Sequence, residues 1–351
     1  MAYDPLTDDR LDPRNKALLS SLDEPLLYHS IDVGSREEAL TVMNSPEAVA
    51  KEEAMLASME IMDDEAIFPS QGLQISRHGA PSTQGEHSIP IKVLRPDNDE
   101  TLPCVLYIHG GAMMSMSFEM ATYRAWSKAL AHTGVCVAMV DFRNSLRPST
   151  AVETAPYPAG LDDCVDAYVW VQNNLSQFNI AEATTMIAGD SGGGNLAIAT
   201  TMKLVRNHGE RPLGLYALCP YILGKWPDSA MPSSSENEGV LISVSNNIAT
   251  MGYGISHHES RDPMAWPSFA SLADVAEFPP TMISINECDP LRDEGLSFYR
   301  LLLKAGVRAH CRQMMGTVHA NEMFTTVFPE LTRMTARDIR GWIEECIDLK
   351  R

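Results

Sequence analysis

The sequence holds no run approaching 18 consecutive apolar residues, the length a membrane-crossing helix needs, so no span is expected. Its first ten residues, Met-Ala-Tyr-Asp-Pro-Leu-Thr-Asp-Asp-Arg, lack the basic end and apolar stretch of a secretory leader, and the expected location is the cytoplasm. Cys-x-x-Cys pairs are absent. The seven cysteines, at 104, 136, 164, 219, 288, 311 and 346, stand singly with no matching histidine cluster, so neither a disulfide framework nor a zinc site is implied. Basic residues are scarce: 27 Lys and Arg against 46 Asp and Glu give a formal charge of −19, which repels nucleic acid and anionic lipid surfaces. A neutral small molecule is the partner this charge suits, although a solvated acidic surface is the simpler account of the charge. There is no Gly-Lys-Ser/Thr, no Gly-x-Gly-x-x-Gly after an early strand and no internal repeat, so phosphate-cradling loops and solenoids are set aside.

What is present is an alternation. With 351 residues, 44% apolar and 21% charged, the chain has the composition of an ordinary globular protein able to bury a large core. Short β-branched runs are predicted as strands at 72–78, 87–95, 103–109, 135–142, 185–188, 213–219, 281–287 and 309–315. The first two read as an antiparallel pair. Amphipathic stretches between them predict helices at 119–132, 161–177, 193–207, 294–305 and 329–348. This is an α/β chain with a mostly parallel central sheet flanked by helices. Two regions break the alternation. We expect residues 1–70 to form an N-terminal cap segment and 221–278 a second one, around a catalytic core of 71–220 and 279–351. The spacing of Met43, Ala50, Met55, Met59 and Met62 predicts helices in the first segment, and the Ser-rich 232–236 reads as a short loop.

The run Thr184-Thr185-Met186-Ile187-Ala188-Gly189-Asp190-Ser191-Gly192-Gly193-Gly194-Asn195 carries Gly-x-Ser-x-Gly between a strand-like and a helix-like stretch. Such a serine sits on a sharp turn, with glycines beside it because side chains there would collide with the neighbouring strand and helix. The start of the helix offers N–H groups and a positive dipole end to developing negative charge. Gly-Asp-Ser-Gly-Gly also surrounds the nucleophile of chymotrypsin-like proteases, but those are all-β, and their histidine and acid precede the serine. A plain glycine turn is the chemically silent alternative.

His109-Gly110-Gly111-Ala112 follows an apolar strand, and in an α/β chain such a loop aims backbone N–H groups at an acyl oxygen. Gly110 and Gly111, with Gly192, are the expected oxyanion donors, and His109 is expected to brace the loop. Downstream, the strand at 281–287 ends in Cys288-Asp289-Pro290, and the last strand-like run leads to Val318-His319. Serine, acid and histidine in that chain order, each after a strand, mark Ser191 as nucleophile, Asp289 as orienting acid and His319 as base. Asp293 and Glu294 are placed to begin the next helix. Met113, Met114, Met116, Tyr221, Trp226 and Trp266 are candidates for an apolar pocket wall.

Together these motifs resemble the hormone-sensitive-lipase family of bacterial esterases, family IV, from about residue 91 onward. The resemblance implies an α/β-hydrolase fold with a helical cap, ester hydrolysis without metal or cofactor, a preference for short acyl chains, and a possible homodimer through the sheet edge near the last strand. Ala112 stands where the family usually has glycine, Gly192 where it has alanine, and Asp141-Phe142-Arg143-Asn144 departs from its usual Asp-Tyr-Arg-Leu. An amide or N-acetyl hydrolase with the same triad is the alternative enzyme. The family also includes plant gibberellin receptors that lack the histidine; the presence of His319 argues against a receptor. A true lipase is disfavoured because no large apolar lid is evident.

Overall fold

The computed structural model describes residues 4–22 and 32–350; residues 1–3 and 23–31 of the expected N-terminal segment lie outside the described residues. Eight strands, β1 (Leu73–Pro81), β2 (Ser88–Pro96), β3 (Leu102–Ile108), β4 (Cys136–Val140), β5 (Ile180–Asp190), β6 (Leu215–Leu218), β7 (Thr281–Cys288) and β8 (Ala309–Val318), form one sheet in the order β1-β2-β4-β3-β5-β6-β7-β8. β1 and β2 pair antiparallel, β2 meets β4 antiparallel, and every other pairing is parallel.

Alternation along the central strands explains the layers. Cys104, Leu106 and Ile108 of β3 join one apolar cluster, and Val105 and Tyr107 join the other. All seven residues of β3 are buried, as expected of a strand covered on both faces.

The helices are α1 (Pro13–Ser20), α2 (Arg36–Met43), α3 (Pro46–Met59), α4 (Ala121–Ala131), α5 (Ala159–Asn173), α6 (Gly192–Lys203), α7 (Ser233–Glu236), α8 (Ile248–Glu259), α9 (Leu272–Val275), α10 (Arg292–Lys304) and α11 (Pro329–Asp348). Leu161, Leu196 and Phe298 place α5, α6 and α10 on one face; Trp126 and Trp342 place α4 and α11 on the other. Parallel β-α-β crossovers require this two-sided cover.

The two regions outside the alternation touch each other. Asn247, just before α8, accepts from the Val33 amide at 2.8 Å and donates to the Val33 carbonyl at 2.9 Å, and α2 packs on α8. Glu52 of α3 pairs with Arg147. α1 instead lies against the loop after β8: Asn15 is fully buried and donates to Asn321 Oδ1 at 2.6 Å and to the Gly316 carbonyl at 3.0 Å. The Ser-rich stretch read as a loop is one helical turn, α7. The reason is a reciprocal cap in which the Ser233 amide donates to Asp293 Oδ2 at 2.7 Å and the Asp293 amide donates to Ser233 Oγ at 3.0 Å.

Candidate active site

Ser191 ends β5 and begins α6, with φ 55° and ψ −120°, a left-handed conformation that a non-glycine residue holds only where its surroundings force it. The glycines beside it are required by contact. A β-carbon at Gly193 would lie 2.0 Å from the Ile108 carbonyl oxygen, and one at Gly189 would lie 2.3 Å from the Gly193 carbonyl oxygen. One at Gly192 would lie 2.6 Å from the Ala112 amide nitrogen and 2.5 Å from that of Met113. The start of α6 therefore abuts the loop after β3 backbone to backbone.

That loop is bent by Gly111 (φ 100°), Ala112 (φ 52°) and Met113 (φ 56°), and the Gly111 carbonyl accepts from the Met114 amide at 2.9 Å. The expectation that Gly110 donates to a substrate oxygen is corrected here. Its amide donates to Tyr123 Oη at 2.7 Å, and that hydroxyl donates to Asp190 Oδ2 at 2.9 Å. Tyr107 donates to Asp190 Oδ1 at 2.9 Å. Burial pushes the Asp190 carboxyl up, against the lowering effect of the two tyrosine hydroxyls. His109 is stacked on Phe142 at 4.6 Å and lies 3.2 Å from Asp141, both fully buried. Burial works against the Asp141 charge, but His109, Thr150 and the Phe118 amide hold its carboxyl below the usual range.

Past β7 and β8, His319 Nδ1 and Asp289 Oδ2 are 2.8 Å apart, with Asp289 fully buried and His319 95% so. Asp289 Oδ1 accepts from the Leu291 amide at 2.8 Å, which fixes the carboxylate plane. Burial disfavours the imidazolium, while the Asp289 charge, followed by Cys219, raises the His319 pKa above the ordinary histidine value. The loop carrying His319 is tied down by Asn321, whose Oδ1 accepts from both the Val318 amide, at 3.1 Å, and Asn15.

Of the expected pocket residues, Met114 and Tyr221 border a narrow cleft with about 220 Å³ of empty space, shared with Ala112, Ser243, Val244, Asn246 and Ala249. Met113, Met116, Trp226 and Trp266 are not among its lining residues. The Trp226 indole donates to buried Glu294 Oε2 at 2.7 Å and packs 4.4 Å from the Tyr221 ring, so it supports the wall from behind. Ser243 to Ala249 escaped the sequence reading because nothing in a polar, irregular segment signals a cleft. Neither this cleft nor the groove between α1, β8 and α11 has Ser191, Asp289 or His319 among its lining residues.

Cys219, directly after β6, is one of the seven cysteines to which the sequence assigns no site. It takes φ 34° and, among the described residues, completes the one group of three side chains whose ligating atoms, with those of Asp289 and His319, lie within 4.8 Å of one another. Burial pushes this thiol up to about 11. The signal in the sequence was only a cysteine at a strand end; its neighbour lies 100 residues away in the chain.

The alpha/beta hydrolase fold family matches residues 105–323. The chain is 31% identical to a carboxylesterase, NlhH, of Mycobacterium tuberculosis over 73% of this chain and 78% of that one. The structure is similar to that of esterase Est22, at 48% identity and a TM-score of 0.94 over 98% and 99% of the two chains; another structure of Est22 holds p-nitrophenol. It is also similar to brefeldin A esterase, a bacterial homologue of human hormone-sensitive lipase, at 30% identity and a TM-score of 0.83 over 99% and 96%. Among the described residues no helix is long and apolar enough to cross a membrane.

Proposed function

The chain belongs to the alpha/beta hydrolase fold family, on its hormone-sensitive-lipase-like branch, and is a carboxylic ester hydrolase; from that premise we propose that Ser191 is its nucleophile, His319 its base and Asp289 the acid that orients the base. The buried His319–Asp289 hydrogen bond carries this reading. With Nδ1 donating to the carboxylate, Nε2 is left as the acceptor for the Ser191 proton. Ser191 then attacks the ester carbonyl, and the alkoxide is held by the amides of Gly111, Ala112 and Gly192. Gly110 is omitted because its amide already has a partner. Each such donor is worth about 10²–10³ in kcat. His319 protonates the departing alcohol, and water taken up in its place attacks the acyl-enzyme to release the acid and Ser191.

Residues from about 32 to 62 and 221 to 278 form the cap in this reading, supported by the Val33–Asn247 bonds that join them. The narrow cleft bordered by Ala112 and Met114, in the loop that abuts the Ser191 turn, supports neutral esters with short acyl groups. Pairing of two copies along the β8 edge and action in the cytoplasm belong to the same reading; light scattering and cell fractionation test them. The chemistry is tested by p-nitrophenyl esters from acetate to palmitate, whose leaving group similar Est22 holds in one of its structures. Wild type should cleave the short members with a steep decline in chain length, and Ser191→Ala should lose up to about 10⁶ in kcat. Equal activity in both proteins would remove Ser191 as nucleophile, and a long-chain optimum would remove the short-acyl preference.

A further inference from the structure

We propose that Cys219, His319 and Asp289 form a latent inhibitory site for a borderline-soft divalent cation, Zn2+ or Cd2+, in which ion binding at the catalytic histidine switches hydrolysis off. The chemistry of the donors selects the ion. A thiolate, an imidazole nitrogen and a carboxylate oxygen are the ligand types zinc and cadmium take, whereas magnesium and calcium prefer all-oxygen shells. Their ligating atoms already lie within 4.8 Å of one another, so small side-chain movements bring three donors around one ion. The fold fixes them there. Cys219, Asp289 and His319 follow β6, β7 and β8, three neighbouring parallel strands, and the Cys219 amide is held by the Ser284 carbonyl at 2.7 Å. Three protein ligands leave a fourth position for water, the arrangement of an open zinc site.

Inhibition follows whichever ring nitrogen is taken. An ion on Nε2 occupies the lone pair that must accept the Ser191 proton. An ion on Nδ1 displaces the proton shared with Asp289, and the neutral ring then carries its hydrogen on Nε2, so it can only donate. Binding releases the Cys219 thiol proton to solvent and changes no oxidation state, so removing the ion restores the triad. Ser191 and His319 each retain about 5% exposure, and Cys219 is fully buried.

The test measures both binding and activity. ZnCl2 is titrated into ester hydrolysis by wild type, Cys219→Ser and Cys219→Ala, each normalised to its own metal-free rate, and CdCl2 binding is followed by the ultraviolet thiolate-to-cadmium absorption. Wild type should be inhibited and restored by EDTA, and both variants should require at least about tenfold more zinc, since losing even an outer-shell partner of a metal ligand costs about 10–100-fold. The cadmium band should be lost in Cys219→Ala, weakened by at least about tenfold in His319→Ala, and kept in Cys311→Ser, which removes the one partly exposed thiol. Equal zinc sensitivity in wild type and Cys219→Ala, no inhibition at all, or a cadmium band that survives Cys219→Ala would each overturn the site. Because the cadmium band is read without substrate, it is informative even if the catalytic assignment of Ser191 fails.

Discussion

At Asp289 a single carboxylate does two things: it fixes the imidazole tautomer through Nδ1, and its charge raises the His319 pKa above the ordinary value. Only neutral imidazole can act as base, so kcat/KM must fall as pH drops through the folded-state pKa of His319. Asp289→Asn removes the charge that raised that pKa, so the acid limb should move to lower pH while kcat falls by about 10⁴ through loss of the correct tautomer. A pH–rate profile of both proteins checks this; an unshifted limb would separate Asp289 from the base. The meeting of Asp289 with His319 was readable in the sequence because each follows a late strand, as Ser191 follows an earlier one. Gly110 was misread because a glycine motif says nothing about where its amide points, and Tyr123, 13 residues on, accepts it. The approach of Cys219 to His319 was equally illegible, since it arises from strand adjacency.

The turn between β5 and α6 is the element on which the site depends, and its glycines differ sharply from a glycine elsewhere. A methyl group at Gly193 must move the backbone of Ile108 and His109, since both carbonyl oxygens would lie within 2.5 Å. Gly193→Ala should cost about 3 kcal/mol or more, read as a lower urea midpoint. Gly341, exposed within α11 with nothing near its absent β-carbon, should behave oppositely: Gly341→Ala should stabilise by about 0.5–1 kcal/mol. Each of the eight strands overlaps a stretch predicted as a strand. The ends differ: β5 begins at Ile180, before the predicted Thr185, because pairing with β3 extends there, and the predicted tail of α5 to 177 is a separate 3-10 turn over Leu175–Phe178. Pairing and turn geometry set boundaries that local pattern does not.

Across the whole molecule, the segment leading out of the core toward α7 and α8 is held by one acid. Glu294 Oε1 accepts from the Ile222 amide at 2.6 Å, and Oε2 accepts from Trp226 Nε1. Burial raises its carboxyl from the ordinary 4.5 to about 8, despite three donors that lower it. The folded protein therefore binds more protons than the unfolded chain between those values. Stability from this group is present at low pH and declines as pH rises from about 4.5 toward about 8. Glu294→Gln, which cannot ionise, should flatten the urea-midpoint slope over that window; an unchanged slope would mean the carboxyl is already charged. The cap regions were located in the sequence only by their failure to alternate, and the cleft residues Ser243 to Ala249 come from one of them, where irregular backbone leaves no periodic trace.

The assignment of Ser191 is tested most directly by reacting the protein with a p-nitrophenyl phosphonate and mapping the modified peptide by mass spectrometry. One phosphonyl group on Ser191, with one equivalent of p-nitrophenol released and no labelling of Ser191→Ala, is the expected result. Modification at any other residue, or labelling that persists in Ser191→Ala, would contradict a Ser191 nucleophile.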